Sequence, residues 1–600
     1  MLILLASWAV ILIPSLLVGL RILPQPADGK MLPGDRWVIA VWMGVLALAV
    51  GLMGVALFVP LRPIVVGSFL TVATLLTASS SETRQVVRKD LRRLSWRHLL
   101  VASALLLMMA WTCSREVTLF DTGLYHAQML KLQREYGTIA GGALLHHRFG
   151  YNSSWFSFGS VFPAQTLGGM VGWVSLLHLA GLWRRIRARR GETSDWFAAI
   201  AYSLVLPILL LDGGLMISPS PDTPAALVIV IVAWWGMIDP PNRSGRLLLA
   251  LLAFSVKLSL LPVLVIGLIG RIGPIGRIAR IGRMRPVGLI RIMGSILQLR
   301  TNGPIGPILP IIPILTSYRS SGCPLYPSPM GCLPSLPWAV LPEEVAAIQR
   351  MTIDYARDGG RNLPDYDFWT WFPRSFIDPY TGSLSSAALL VVVSLVAIGL
   401  FLWEGQRQPR FWRSGSVPVV LAVTGLLYTF MTAPSLRFSI GYLAILPALL
   451  LAYWRKVASP LMGILPLALI LLVPYVELPA RPFRLGLLLI SVVWYGALLW
   501  RGATGPRWIF HLVGISAILP SLLTSPGAFI RPRPLQVPGK ESLAVRPLPG
   551  GGSVYLTSYG PLANQCWDAP LPCTPENPSP NLRLLHPEAG VRGGFQWIRP

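Results

Sequence analysis

The run from Trp37 to Val59, WVIAVWMGVLALAVGLMGVALFV, is uncharged over its whole length and decides the fold. A membrane crossing needs about 20 apolar residues at about 1.5 Å of rise each, and this run supplies them without a break. Working outward, similar runs lie at 2–20, 64–78, 98–113, 163–183, 196–211 and 224–238, then at 300–318, 384–403, 416–433, 438–454, 459–476, 483–500 and 508–524. The expected fold is an all-α, polytopic integral membrane protein of about fourteen spans plus one re-entrant hairpin. Composition agrees: of 600 residues 53% are hydrophobic and 13% charged, with mean hydropathy +0.60. An ordinary soluble enzyme carries about a quarter charged residues, so that class is excluded.

Lys and Arg number 51 against 25 acids, a net charge of +26. The excess lies between apolar runs, as it does in positive cytoplasmic loops, rather than in a patch for nucleic acid, which is not an expected partner. Arg84, Arg88, Lys89, Arg92, Arg93 and Arg97 form one cluster; Arg184, Arg185, Arg187, Arg189 and Arg190 form another. Placing both in the cytoplasm puts 114–162 outside, together with 319–382 and the tail from 525. Arg407, Arg410 and Arg413, then Arg455 and Lys456, then Arg501 and Arg507 follow the same alternation. The first run has no basic residue before it and no evident cleavage site, so it is read as a span and not as a signal peptide.

One segment breaks the alternation. A single crossing from Leu247 to Gly270 would put the basic stretch 271–300 on the outer side. A re-entrant helix pair that turns near Lys257 to Pro262 restores it, and membranes tolerate such a turn where protein or water satisfies the opened backbone. The expected organisation is a three-span extension over 1–97 and a core over 98–270 with outer loops 114–162 and 212–223. A low-complexity Arg/Ile/Gly/Pro insert (271–313) follows, lying on the anionic leaflet. Then come an outer loop region (319–382), where Pro342, Glu343 and Glu344 open a helix closed by Gly359 and Gly360, a membrane bundle (383–524) and an outer Pro-rich tail (525–600). In the tail Cys566 and Cys573 are expected to form a disulfide, with Cys323 and Cys332 a second candidate pair on the same side.

Chemistry-bearing residues gather in the outer loops. The first loop reads Asp121-Thr122-Gly123-Leu124-Tyr125-His126 and then His146-His147-Arg148. A carboxylate at the water interface, with apolar walls to raise its basicity, suits Asp121 to accept a proton; it suits a helix N-cap equally well. Asp222, in Ser218-Pro219-Ser220-Pro221-Asp222-Thr223-Pro224, carries the same two readings, and two such acids can bracket a polar substrate or a divalent cation. Lys257 within an apolar run needs an anion or water as partner. Arg437, at the outer end of its span, serves an anion or snorkels to the interface.

An acid after an early span, a second acid in the next outer loop, and a Lys in a short hairpin together resemble the GT-C class of integral-membrane glycosyltransferases. The strings DTGLYHAQ, LHHRFGYNSS, SPSPD, KLS, CPLYP and CWDAPLPCTP resemble more closely a group of multi-pass bacterial proteins, frequent in cyanobacteria, that are themselves GT-C-like. Three extra spans at the start and the Arg-Ile-Gly insert depart from the GT-C pattern. The resemblance implies a bacterial plasma-membrane enzyme that takes a sugar from a polyprenyl-phosphate carrier and passes it to an envelope acceptor. Asp121 and Asp222 would be catalytic; Lys257, Arg437, His126, His146, Arg148 and Tyr125 would bind substrate; Tyr125, Trp155 and Trp369 would stack on sugar rings. The rival is a transporter or flippase of lipid-linked sugars, which would use the same charges without breaking a bond.

Overall fold

The computed structural model describes residues 1–23, 31–188, 190–211, 214–239, 242–269, 311–358, 410–433, 435–454, 532–539, 542–549, 551–557 and 564–598. Most of them are helical. The first apolar runs form α1 (Leu2–Ile22), α2 (Pro33–Ala56), α3 (Pro63–Ala78) and, after the polar α4 (Ser81–Leu91), α5 (Trp96–Cys113). Pro33 and Pro63 start α2 and α3, where a missing N–H costs nothing and the fixed φ already suits a helix. A short α6 (Ala127–Glu135) leads to α7 (Thr166–Arg187), α8 (Thr193–Leu211), α9 (Asp222–Ile238), α10 (Arg243–Phe254) and α11 (Leu261–Ile269). Beyond these come α12 (Ile311–Ser321), α13 (Pro342–Asp358), α14 (Arg410–Thr432) and α15 (Leu436–Trp454).

The count of about fourteen spans is not supported. Among the described residues five helices are long and apolar enough to cross a membrane: Leu2–Ile22, Pro33–Ala56, Trp96–Cys113, Thr166–Ile186 and Thr193–Leu210. A sixth arises only if α3 and α4, bent by 86° at their junction, count as one. The break there is local, since Ser80 leaves the helix and its side chain accepts from the Thr83 N–H to cap α4. The runs near 224–238, 247–270, 416–433 and 438–454 form shorter apolar helices. Of that expected at 300–318, residues 300–310 lie outside the described residues and the remainder falls in α12. Those at 384–403, 459–476, 483–500 and 508–524, and nearly all of the 271–313 insert, lie outside the described residues.

The long helices run between two distinct ends. At one, Arg185 of α7 donates to Asp35 of α2 at 3.0 Å and to Asp195 of α8 at 2.7 Å, Arg184 meets His98 at the start of α5, and Trp37 of α2 donates to Asp90 of α4 at 2.9 Å. Both basic clusters read from the sequence therefore share this end. At the other, Trp8 of α1 donates to the Thr166 carbonyl at the start of α7, and Ala56 at the end of α2 accepts from Thr138 of the first loop. α1 and α2 pass so closely that a Cβ at Gly19 would strike the Ala40 carbonyl and one at Gly44 the Ser15 carbonyl. Small residues allow such approach between helices that gain little hydrophobic drive from lipid. Ile64, Leu75 and Leu76 of α3 and Leu99 and Leu100 of α5 stay exposed, as on a lipid-facing surface.

α10 and α11 form a hairpin. α10 rises from Arg243, and at its top Ser255 shares a 2.7 Å hydrogen bond with Ser154 of the first loop. The chain turns through Lys257 to Leu260 and descends as α11, packed on α10 and α14.

Covering this end is a layer built from the first loop, residues 316–358 and the tail. Its core includes Leu124, Met129, Phe149, Tyr326, Val345 and Phe595. An all-α expectation fails here, because the tail holds short strands: β1 (Ala544–Pro547) pairs antiparallel with β2 (Ser553–Leu556), β2 parallel with β3 (Cys573–Thr574), and β4 (Leu582–Leu584) antiparallel with β5 (Phe595–Trp597). β5 docks on the first loop through the Phe595 N–H to the Ala140 carbonyl at 2.9 Å. Cys566 is bonded to Cys573 and Cys323 to Cys332. Between the first pair, Trp567 is buried against Gly123, donating its backbone N–H to the Gly123 carbonyl at 2.9 Å. A Cβ on Gly123 would run into that indole ring. Gly123→Ala is therefore expected to cost about 1–3 kcal/mol by overpacking and to lift the tail. Limited proteolysis should show faster cleavage at the partly exposed 532–539 segment; an unchanged rate would disprove the docking.

Candidate functional site: a buried charge cluster

Five charged residues from separate stretches of the sequence meet where the layer joins the helices. Arg437 Nη2 lies 2.6 Å from Asp121 Oδ2, and its Nε lies 3.8 Å from Asp222 Oδ2. Lys257 Nζ pairs with Asp222 Oδ1. Arg148 Nη1 approaches Asp121 Oδ1 at 3.6 Å. Phe438 lies beneath both cations, with Lys257 Nζ 3.7 Å and the Arg437 guanidinium carbon 4.8 Å from its ring centre.

Each side chain is held by local structure. Asp121 precedes a wide π turn (Thr122–His126) that continues into α6. Such turns often mark functional sites. Its side chain makes no cap hydrogen bond, so the N-cap reading does not account for it. Thr122 Oγ1 shares a 2.9 Å hydrogen bond with Ser218 Oγ, tying the first loop to the loop ahead of α9. There Ser220 Oγ donates to Asp222 Oδ2 at 3.0 Å and accepts the Asp222 N–H at 3.2 Å. Asp222 does not cap α9 either; it is the first helical residue, where a negative charge suits the helix dipole. Lys257 sits at the hairpin tip, fixed by Ser153 Oγ donating to the neighbouring Val256 carbonyl at 2.7 Å. Arg437 lies in the first turn of α15.

Exposure differs by sign of charge. The Asp121 and Asp222 side chains are 9% and 4% exposed, while those of Lys257, Arg437 and Arg148 are 21%, 30% and 24% exposed. The acids therefore sit behind a partly open face of three cations, an arrangement that presents net positive charge to an incoming anion. Burial alone would raise the Asp121 carboxyl, but Arg437 and Arg148 outweigh it and hold the group below the usual carboxylate range. This reverses the expectation that apolar walls make Asp121 more basic.

Of the other sequence candidates, Tyr125 lies under the Arg148 guanidinium, 5.5 Å from the ring centre, and packs edge-on against His126. Burial pushes His126 down to about 4, so its ring is neutral near pH 7. His146 stands apart: it stacks on His147 and faces Glu576 of the tail, at 3.6 Å from Nε2 to Oε1. Burial lowers His146 as well. Trp155 has no exposed face for a sugar, being fully buried, and Trp369 lies outside the described residues. Sequence reasoning missed Phe438, which follows Arg437 directly, and Glu576, whose only signal was an acid just past a Cys-bounded loop.

The chain belongs to the family described as Domain of unknown function (DUF8201), which matches residues 1–444. That match takes in Asp121, Arg148, Asp222, Lys257 and Arg437, and ends before the tail with Cys566, Cys573 and Glu576. A search of curated proteins found no match.

Proposed function

We propose that the protein is a GT-C-like membrane glycosyltransferase that moves a sugar from a polyprenyl-phosphate carrier to an envelope glycan, lipid or protein acceptor at the outer face of a bacterial plasma membrane. The observation that supports it is the pair of buried carboxylates behind three partly exposed cations, set at one end of apolar helices. A donor of this class keeps its tail in the bilayer and brings a phosphate to that face. Lys257 and Arg437 bind the phosphate, which draws Arg437 away from Asp121 and lets the carboxylate regain basicity. Asp121 then takes the proton of the acceptor hydroxyl as its oxygen bonds to the anomeric carbon. The bond from that carbon to the phosphate oxygen breaks with its electrons going to the phosphate, and polyprenyl phosphate leaves.

The test uses full-length protein in vesicles with a short polyprenyl-phosphate sugar and a sugar acceptor. The expected result is a new glycosidic product and free polyprenyl phosphate in equal amounts. Movement of intact donor between leaflets without cleavage would instead establish the transporter reading.

The same proposal places the end with the charge cluster outside and the end with the arginine clusters in the cytoplasm. A Cys introduced at Ala188, which is exposed beside α7, is expected to resist impermeant thiol reagents in intact cells and to react after lysis. Labelling in intact cells would invert the orientation and remove the acceptor from reach.

A further inference from the structure

The geometry points to a second site, separate from the charge cluster: His146, His147 and Glu576 form a divalent-cation site of the kind zinc takes, which clasps the tail to the first loop. One ligand atom from each residue lies within 4.8 Å of the other two. His146 Nε2 is 3.6 Å from Glu576 Oε1 and His147 Nδ1 is 3.4 Å from Oε2. A separation of 3.6 Å is too long for a hydrogen bond. Two ligands that each stand about 2.0–2.1 Å from a tetrahedral zinc ion are, however, about 3.3–3.4 Å apart.

A second observation concerns burial. His146 Nε2 is buried and, among the described residues, the group it faces is the Glu576 carboxylate at 3.6 Å, just beyond hydrogen-bond range. A buried polar atom left in that state is destabilising, and a bound cation would satisfy it.

The ligands are pre-positioned. The two imidazoles stack with centres 4.7 Å apart, which orients both rings toward Glu576. Glu576 is set by its N–H donating to Thr574 Oγ1 at 3.2 Å, and Thr574 belongs to β3, next to the Cys566–Cys573 bond. His146 Nδ1 accepts the Arg148 N–H at 3.3 Å, and coordination through Nε2 gives up this one contact as the ring changes tautomer. Three protein ligands leave a fourth position for water, on the side where Glu576 is 58% exposed. The ion would bridge the first loop, two residues before Arg148, to the tail. The assignment holds whether or not the chain transfers sugar.

The test is zinc titration of full-length, chelator-stripped protein in detergent, read by competition with a chromophoric chelator. Wild type is expected to bind one Zn²⁺ per chain. Glu576→Gln, which keeps the side-chain shape, and His147→Ala are each expected to weaken binding at least tenfold. His586→Ala, at an exposed histidine elsewhere in the tail, is expected to leave binding unchanged. Size-exclusion profiles confirm folding, and if one variant fails that check the other decides. Absence of Zn²⁺ binding by wild type, or unchanged affinity in the folded variants, would overturn the site.

Discussion

Asp121→Asn is expected to lower sugar transfer by about 10²- to 10⁴-fold, the contribution of a positioned general base, while the protein stays folded in the membrane. Asn keeps the size of the side chain and can still accept from Arg437 at the 2.6 Å contact, so the cluster loses a charge but not its shape. The Asp121 side chain caps nothing, so loss of activity cannot come from a lost helix cap. The pH profile offers a second readout. Arg437 and Arg148 hold the Asp121 carboxyl below its usual range, so the resting protein keeps it ionised throughout the mildly acidic region. If phosphate draws Arg437 away, the acidic limb of kcat lies at higher pH than that of kcat/KM, because the carboxyl becomes more basic in the complex. An Asn variant with wild-type turnover removes the base assignment and makes transport the better reading.

How much of this was legible in the sequence follows from the range of the forces involved. The apolar runs were readable because bilayer thickness sets their length and charge exclusion sets their content. Asp121, Asp222, Lys257 and Arg437 were readable singly, since an ionised group beside an apolar run is costly and needs a reason to be there. Their meeting was not readable, because it depends on the α10–α11 hairpin bringing Lys257 level with the start of α9 and on α15 presenting Arg437 at the same height. Composition misled on span number among the described residues: Ser79 and Ser80 end α3, and α9 and α10 are too short to count as full crossings. It misled on the tail as well. Strands of two to four residues in a Pro-rich stretch carry too little alternation to be seen, and β3 exists because the tail packs on the first loop.

Removing one member of the cluster is expected to cost more stability than removing two. Lys257→Met deletes the ammonium that pairs with Asp222, a side chain only 4% exposed, and leaves a buried carboxylate with the Ser220 hydroxyl at 3.0 Å and, as its remaining cation, the Arg437 Nε at 3.8 Å. Breaking a buried ion pair in this way costs about 3–5 kcal/mol, and the remaining Arg437 contact puts the expected value at the lower end. Met preserves the apolar stem over the Phe438 ring, so packing loss is not the cause. Adding Asp222→Asn removes the stranded charge while Ser220 keeps a hydrogen-bond partner, and the double variant should recover at least half of the single-variant loss. Denaturant unfolding of wild type, both single variants and the double variant closes the cycle. A coupling energy above about 1.5 kcal/mol is expected for groups in direct contact. Strict additivity would mean that Lys257 and Asp222 are each solvated on their own, and that the positive face offered to a phosphate is not built on their pairing.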